Sequence, residues 1–168
     1  MDTPMNIRFS DGMAAFARQD YSLCIEHLTE VLQENHTHKL ALVSRGAAFM
    51  RTGEIPTALA DFDHALAIDP DYARAYHLRG LAREAQGDDE GALVDFSKAV
   101  DLKPDYAAAY YSRATLYTKL EQMDRAEEDS RMATHLSEYN IQTFANENNI
   151  WRSDHMPVED MMETELNR

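Results

Sequence analysis

The sequence has few of the features that would reveal a function directly. It contains one cysteine, Cys24, so no internal disulfide can form and a reducing compartment is expected. No apolar run approaches the roughly 20 residues that a membrane-spanning helix needs. The N-terminus also lacks the basic and apolar regions of a secretory signal. These absences together predict a cytoplasmic protein.

Basic residues are scarce. The chain has 16 Lys and Arg against 30 Asp and Glu, which gives a formal net charge of −14. Binding to nucleic acid or to an anionic membrane needs clustered Lys and Arg, because neutralising phosphates with them releases counterions. The composition therefore argues against nucleic-acid and membrane partners. It suits a soluble scaffold, or one whose partner is basic.

Catalytic and metal-binding patterns are absent from the sequence as well. No phosphate-binding loop of the Gly-x-x-x-x-Gly-Lys type occurs. Two histidines, His36 and His38, would lie close together in a turn, but two exposed histidines make at most an adventitious metal site. We therefore expect no enzymatic activity, no cofactor and no metal.

What the sequence does contain is an internal repeat with a period of 34 residues. Pro70 and Pro104 are 34 positions apart, and residues 39–72 align with residues 73–106 throughout. A repeat of about this length, with small residues at fixed offsets, is typical of helical-hairpin arrays. Repeat positions are counted from Met5, Lys39, Ala73 and Ala107.

Small residues recur at three positions of the repeat. Position 8 is Gly12, Gly46, Gly80 and Ala114; position 20 is Cys24, Ala58, Ala92 and Ala126; position 27 is Val31, Ala65, Ala99 and Ala133. We interpret them as the crossing of the two helices of a hairpin, where overpacking would cost about 1–3 kcal/mol. Cys24 is therefore assigned to core packing. Position 24, with Leu28, Phe62 and Phe96, is predicted to fill the gap between neighbouring repeats.

Glycine and proline mark the helix ends. Gly53 and Gly87 are predicted to end the first helix of their repeats in a left-handed cap. Pro56 suits the first turn of a second helix, and Pro70 and Pro104 end the second helices. No segment shows sustained strand alternation, so the fold class is all-α.

These residues make the chain resemble the tetratricopeptide repeat (TPR) family. That pattern has small residues at positions 8, 20 and 27, aromatic residues near 4, 11 and 24, and proline at 32. Repeats two and three follow it closely, whereas Gln19 and Glu121 replace glycine at position 15 in repeats one and four. The resemblance implies a right-handed α-α superhelix (solenoid) of four helical hairpins plus a C-terminal capping helix.

The predicted organisation follows from the repeat boundaries. It comprises an N-terminal lead (1–4), four repeats (5–38, 39–72, 73–106 and 107–140), a capping helix (141–152) and an acidic tail (153–168). The capping helix would cover the exposed end of the last repeat. The tail carries Val158, Met161, Met162 and Leu166 and is either a short amphipathic helix or a disordered segment. A Met-rich stripe of this kind suits adaptable contacts, in cis or with a second copy of the chain.

Opposite charges recur at two further positions. Position 7 is Arg45, Arg79 and Arg113 in repeats two to four, and position 23 is Asp61, Asp95 and Asp129. Repeat one has Asp11 and His27 there, so both charges change together. We predict that the two positions pair; the alternative is that each side chain is independently solvated. A half-buried pair would chiefly fix the register of the hairpin.

The resemblance also implies a concave groove lined by positions 2, 5, 9, 12 and 13 of the first helices. The predicted site residues are Phe9, Met13, Phe16, Val43, Ala47, Met50, Arg51, Arg74, His77, Leu81, Tyr111 and Lys119. An exposed apolar patch of this kind is typical of a binding surface, although some of these residues would instead be inter-repeat core. Phe16, opposite Met50, is the expected anchor. Arg51 and Arg74 are expected to approach each other and to meet a carboxylate or phosphate.

Some TPR domains hold the acidic C-terminal tail of heat-shock chaperones with a clamp of Lys, Asn and Arg side chains. The equivalent residues here are Phe9, Met13, Ser44, Arg74 and Leu78 in one register, and Val43, Ala47, Leu78, Ala108 and Ser112 in the other. Neither register makes the clamp. We expect a scaffold or adaptor that binds a peptide segment of a protein partner. The alternatives are a self-assembling unit whose groove holds its own tail or another subunit, and a chaperone for a secreted or unfolded client.

Overall fold

The computed structural model describes residues 4–147, and the side chains of residues 4–140. The described residues form eight α-helices and no strand, which confirms the all-α prediction. The helices are α1 (Pro4–Ala17), α2 (Tyr21–Glu34), α3 (Lys39–Thr52), α4 (Ile55–Ile68), α5 (Ala73–Ala85), α6 (Asp89–Leu102), α7 (Ala107–Lys119) and α8 (Met123–Glu147). The described residues divide into two compact units, with the boundary between residues 102 and 103.

The first unit contains three helical hairpins, α1–α2, α3–α4 and α5–α6. Each second helix packs on the first helix of the next hairpin, and α3 also contacts both α1 and α5. The first helices therefore lie side by side as one layer. Leu28, Phe62 and Phe96 are fully buried in the interior of this unit.

Glycine at position 8 makes room for the aromatic ring at position 24. A Cβ atom added to Gly46 would lie 2.6 Å from Cε1 of Phe62, and one added to Gly80 would lie 2.5 Å from Cε1 of Phe96. The ring thus lies against the first helix of its own hairpin. The small residue at position 8 thus also accommodates this ring, and the prediction that position 24 fills the gap between neighbouring repeats stays a prediction.

The predicted helix ends are confirmed. Gly53 caps α3 with a φ of 86°, and Gly87 has a φ of 82° just after α5. Pro56 lies in the first turn of α4. In the outer repeats, Gln19 (φ 63°) and Glu121 (φ 59°) take the same left-handed conformation without being glycine. The turn geometry is therefore retained at an expected cost of about 1–2 kcal/mol for each of these two residues.

The second unit contains one hairpin, α7–α8, whose helices differ in length. Helix α8 has 25 residues against 13 in α7, so it is about 18 Å longer. The predicted boundary between repeat four and a separate capping helix at residue 141 is wrong, since residues 141–147 continue α8. Position 32 is Glu138 rather than proline, and nothing else interrupts the helix. The remainder of the predicted capping helix (148–152) and the predicted tail (153–168) lie outside the described residues.

Candidate functional site

Arginine and aspartate pair across the hairpins as predicted. In the third hairpin, Nε and Nη2 of Arg79 donate to the two carboxylate oxygens of Asp95 at 2.9 and 2.7 Å. The same bidentate pair joins Arg45 to Asp61 and Arg113 to Asp129. The hydrogen bonds that Arg79 donates to Asp95 raise the pKa of Arg79 above its usual value. These arginines are structural, since their guanidinium groups are already engaged.

Arg45 and Arg79 also reach the preceding hairpin. Nη1 of Arg45 donates to the Thr29 hydroxyl at 3.1 Å, and Nη1 of Arg79 donates to Asp63 at 2.7 Å. Repeat one differs, because no ion pair joins its position-7 and position-23 side chains, both of which are described. Arg8 of α1 instead pairs with two glutamates of α2, including Glu30 at 3.1 Å.

The predicted groove residues of the first unit lie on α1, α3 and α5. Six apolar side chains on these helices are half-buried and lie against or next to the core. Of the two arginines, Arg74 is half-buried and Arg51 is exposed. The apolar side chains are Phe9, Met13, Phe16, Ala47, Met50 and Leu81. We call the surface formed by these eight residues the first-helix face.

Two predicted groove residues are buried and do not belong to that face. Val43 is fully buried in the core, so it packs between helices and cannot contact a ligand. His77 is 6% exposed, and its ring centroid lies 5.8 Å from that of Phe96. Burial, with the charge of Arg74, lowers the pKa of His77 to about 4. Both residues point inward because position 5 of α3 and α5 turns toward the neighbouring helices.

Aromatic contacts fix the two phenylalanines of α1. The Phe9 ring lies 5.0 Å from the ring of His38, whose Nδ1 accepts a hydrogen bond from the Ala41 amide at the start of α3. The Phe16 ring meets Tyr21 edge to face at 5.5 Å. Both side chains are therefore held in place while part of each stays accessible.

Arg51, which belongs to the second hairpin, is held by contacts with Tyr21 of the first hairpin. Its Nε donates to the Tyr21 hydroxyl at 3.1 Å, and the guanidinium carbon lies 5.5 Å from the tyrosine ring centroid. We call Phe16, Tyr21 and Arg51 the Arg51 cluster. Sequence reasoning missed Tyr21, which is not a family groove position. Its position directly after the α1–α2 turn is the sequence feature from which its role could have been inferred. The expected approach of Arg51 to Arg74 stays a prediction.

The last two predicted groove residues lie in the second unit. Tyr111 is 68% exposed on α7, and Lys119 is exposed at the end of the same helix. Their part in a binding site stays a prediction.

Charge is divided between the two helix layers of the first unit. Helices α1, α3 and α5 carry seven Lys and Arg against two Asp and Glu, whereas α2, α4 and α6 carry one against nine. Within the first unit, the layer of first helices is thus much less acidic than the layer of second helices.

Other kinds of site are not found in the part of the chain that the structure describes. It holds no group of three or more His, Cys, Asp or Glu side chains able to bind a metal ion. None of its helices combines the length and the apolar character needed to span a membrane. Burial raises the pKa of the Cys24 thiol to about 11, so this side chain is a neutral packing group.

Comparison with known proteins identifies the repeats. Family profiles described as TPR repeat match residues 46–87 and 85–120, and one described as tetratricopeptide repeat matches residues 107–138. The heat-shock protein cognate (HSC) co-chaperone sgt12 of Aspergillus fumigatus is 36% identical over 74 residues, which are 44% of this chain. The match spans only 22% of that relative's length.

Solved structures agree with this assignment. The crystal structure of the Sgt2 TPR domain from Aspergillus fumigatus is 30% identical, with a TM-score of 0.67 over 73% of this chain and 83% of that one. The crystal structure of MamA has a TM-score of 0.73 over 83% of this chain and 81% of its own. Its 22% identity supports the fold alone. With the profiles, the Sgt2 match and the hairpin geometry in agreement, the chain belongs to the tetratricopeptide repeat family.

Proposed function

We propose that this chain is a non-enzymatic adaptor that binds a peptide segment of a partner protein on its first-helix face. The observation that carries the proposal is the Arg51 cluster, where a partly accessible phenylalanine and an exposed arginine contact the same tyrosine. Aromatic residues and arginine are the side chains most often found at the energetic centre of protein interfaces. Their fixed geometry also lowers the entropy lost on binding.

The side chains of this face favour an apolar ligand over a purely acidic one. The relative from Aspergillus fumigatus is named as a heat-shock cognate co-chaperone. In this chain, however, Phe9 and Met13 are apolar, and Ser44 is buried. They replace the Lys and Asn of the chaperone-tail clamp. We therefore propose that a partner segment binds mainly through apolar contacts with Phe9, Phe16 and Met50, and that Arg51 binds one of its carboxylates.

Affinity capture with matched variants tests this function. Phe16→Glu places a charge on the first-helix face, whereas Val94→Glu makes the same change at a 66% exposed apolar residue of α6. We expect Phe16→Glu to lose specific partners that the wild type and Val94→Glu retain. Each identified partner is then titrated against the purified chain by calorimetry, and circular dichroism confirms that both variants are folded. Equal capture by all three proteins would refute the assignment.

A further inference from the structure

We propose that the acidic, Met-containing segment 156–166 of the chain itself docks on the Arg51 cluster. The inference rests on the proposed function, since it gives the first-helix face a ligand that the chain carries. Such a ligand would compete with partner segments and so regulate the adaptor.

The first observation is that Arg51 is oriented but not neutralised. Its Nε–H group donates to Tyr21, and the tyrosine ring lies under the guanidinium group. Within the described residues, no carboxylate lies within ion-pair distance of it. The bond to Tyr21 uses the Nε–H group, so the two terminal amino groups are left for bidentate binding of a carboxylate.

Other cations of the same helix layer contrast with Arg51. They are paired with carboxylates as follows: Arg8 with Glu30, Lys39 with Asp69, Arg45 with Asp61, Arg79 with Asp95, and Arg83 with Asp95. In a chain of net charge −14, acidic side chains are abundant. An exposed arginine that is held by a tyrosine instead keeps its charge available for another carboxylate.

The second observation is that apolar surface adjoins this arginine. Phe16 is half-buried with its ring on Tyr21, and Met50 precedes Arg51 on α3 and packs against the core. A ligand that alternates acidic and apolar side chains would satisfy both parts of the cluster. A uniformly acidic ligand would leave the aromatic surface uncovered.

Segment 156–166 has this composition. Its apolar residues include Met156, Val158, Met161, Met162 and Leu166, and its acidic residues are Glu159, Asp160, Glu163 and Glu165. Methionine adapts to irregular apolar surfaces and contacts aromatic rings favourably. Because the segment is covalently attached, its effective concentration reaches the millimolar range where the tether spans the distance, and even weak docking is then populated.

A peptide titration tests the docking. The probe is a fluorescein-labelled peptide of residues 153–168. It is titrated into the full-length chain carrying Met161→Ser, Met162→Ser and Leu166→Ser, which removes competition from the attached segment. We expect saturable binding by fluorescence anisotropy. Adding Arg51→Glu to this protein is expected to weaken peptide binding at least tenfold. The control is Lys98→Glu on α6, which makes a similar charge change and is expected to weaken peptide binding less than twofold.

A second variant separates orientation from charge. Arg51→Lys keeps the positive charge but loses the guanidinium fork and its Nε bond to Tyr21, and we expect about threefold weaker binding. Arg51 is exposed, so circular dichroism of each variant should match that of the parent. The proposal is overturned if the peptide does not bind at millimolar concentration, or if Lys98→Glu weakens binding as much as Arg51→Glu.

The outcome is distinguishable from a failure of the proposed function. If the peptide binds through Arg51 while Phe16→Glu loses no partner, the chain recognises its own segment and the adaptor assignment fails. If partners are lost in Phe16→Glu while the peptide does not bind, the adaptor assignment stands and the docking proposal fails.

Discussion

The first hairpin and the third follow the same 34-residue plan but hold their two helices together differently. The third has the Arg79–Asp95 pair and a glycine, Gly80, lying under Phe96. The first has no ion pair between the corresponding described side chains, and Gly12 faces the flexible end of Leu28.

This contrast shows that the repeat pattern mainly encodes packing. Repeat one departs from the pattern, and its aromatic side chains take part in contacts that connect the first hairpin to the second. Phe9 reaches the start of α3, and Phe16 supports the tyrosine that holds Arg51. Four changes would break or sharpen the comparison.

The largest expected effect follows from removing the buried carboxylate of the third hairpin. Asp95→Ala should destabilise the protein by about 3 kcal/mol, because it leaves the charges of Arg79 and Arg83 without their buried partner. Asp11→Ala in the first hairpin should cost less than about 0.5 kcal/mol. Urea unfolding measures both, and a double-mutant cycle with Arg79→Ala isolates the coupling. Similar losses at the two positions would contradict the comparison.

Adding one methyl group at position 8 tests the packing. Gly80→Ala should cost about 2 kcal/mol, because its Cβ would lie 2.5 Å from the Phe96 ring in a fully buried site. Gly12→Ala meets Leu28 Cδ2 at 3.0 Å, and the gain in helix propensity of up to about 1 kcal/mol should offset the small shift required. Thermal unfolding compares the two. A larger loss for Gly12→Ala would show that the first hairpin is as tightly packed as the third.

Acid should destabilise the protein partly through His77. Its pKa is about 4 in the folded chain and about 6.5 when unfolded, so the unfolded state binds more protons in this window. The stability that His77 provides is therefore present above pH 6.5 and is lost as pH falls toward 4. Between pH 7 and pH 5 the wild type should lose about 2 kcal/mol more than His77→Gln. Parallel pH profiles of the two proteins would disprove this.

The smallest expected effect concerns the turns. Gln19→Gly should stabilise the first hairpin by about 0.5–1 kcal/mol, because glycine takes a φ of 63° without strain. Gly53→Ala should destabilise the second by a similar amount, since nothing near it offers a compensating contact. Denaturant midpoints measured under one condition check both signs. A destabilising Gln19→Gly would mean that the side chain has a role in the turn.

The sequence alone predicted those parts of the fold that depend on local patterns. The period of 34 residues located the helical hairpins, and glycine or proline marked ends of α3, α4, α5 and α6. The opposite charges that recur at positions 7 and 23, and that change together in repeat one, also predicted the pairing of these positions. The continuous helix α8 was missed, since the expected boundary came from the repeat length rather than from a breaking residue.

The candidate site was less predictable because burial depends on neighbouring helices. Val43 and His77 share position 5 with Phe9 and Tyr111, yet the first two are buried. Val43 and His77 belong to helices packed within the first unit, and His77 lies against Phe96 of its own hairpin, whereas Phe9 belongs to α1, the first of the described helices. Tyr21 was missed because its contact with Arg51 joins residues 30 positions apart.

In the first unit, the position-7 arginines each donate a further hydrogen bond to the preceding hairpin. These bonds bear on which hairpin of that unit unfolds most readily. Arg79 links the third hairpin to the second through a charged oxygen of Asp63, whereas Arg45 links the second to the first through the neutral hydroxyl of Thr29. Arrays of this kind are stabilised by nearest-neighbour interfaces, and their weakest interface frays first. Amide hydrogen exchange should therefore be fastest in α1 and α2. The hairpin that supplies Phe16 and Tyr21 would then be the one that detaches most readily, so a bound ligand should slow its exchange.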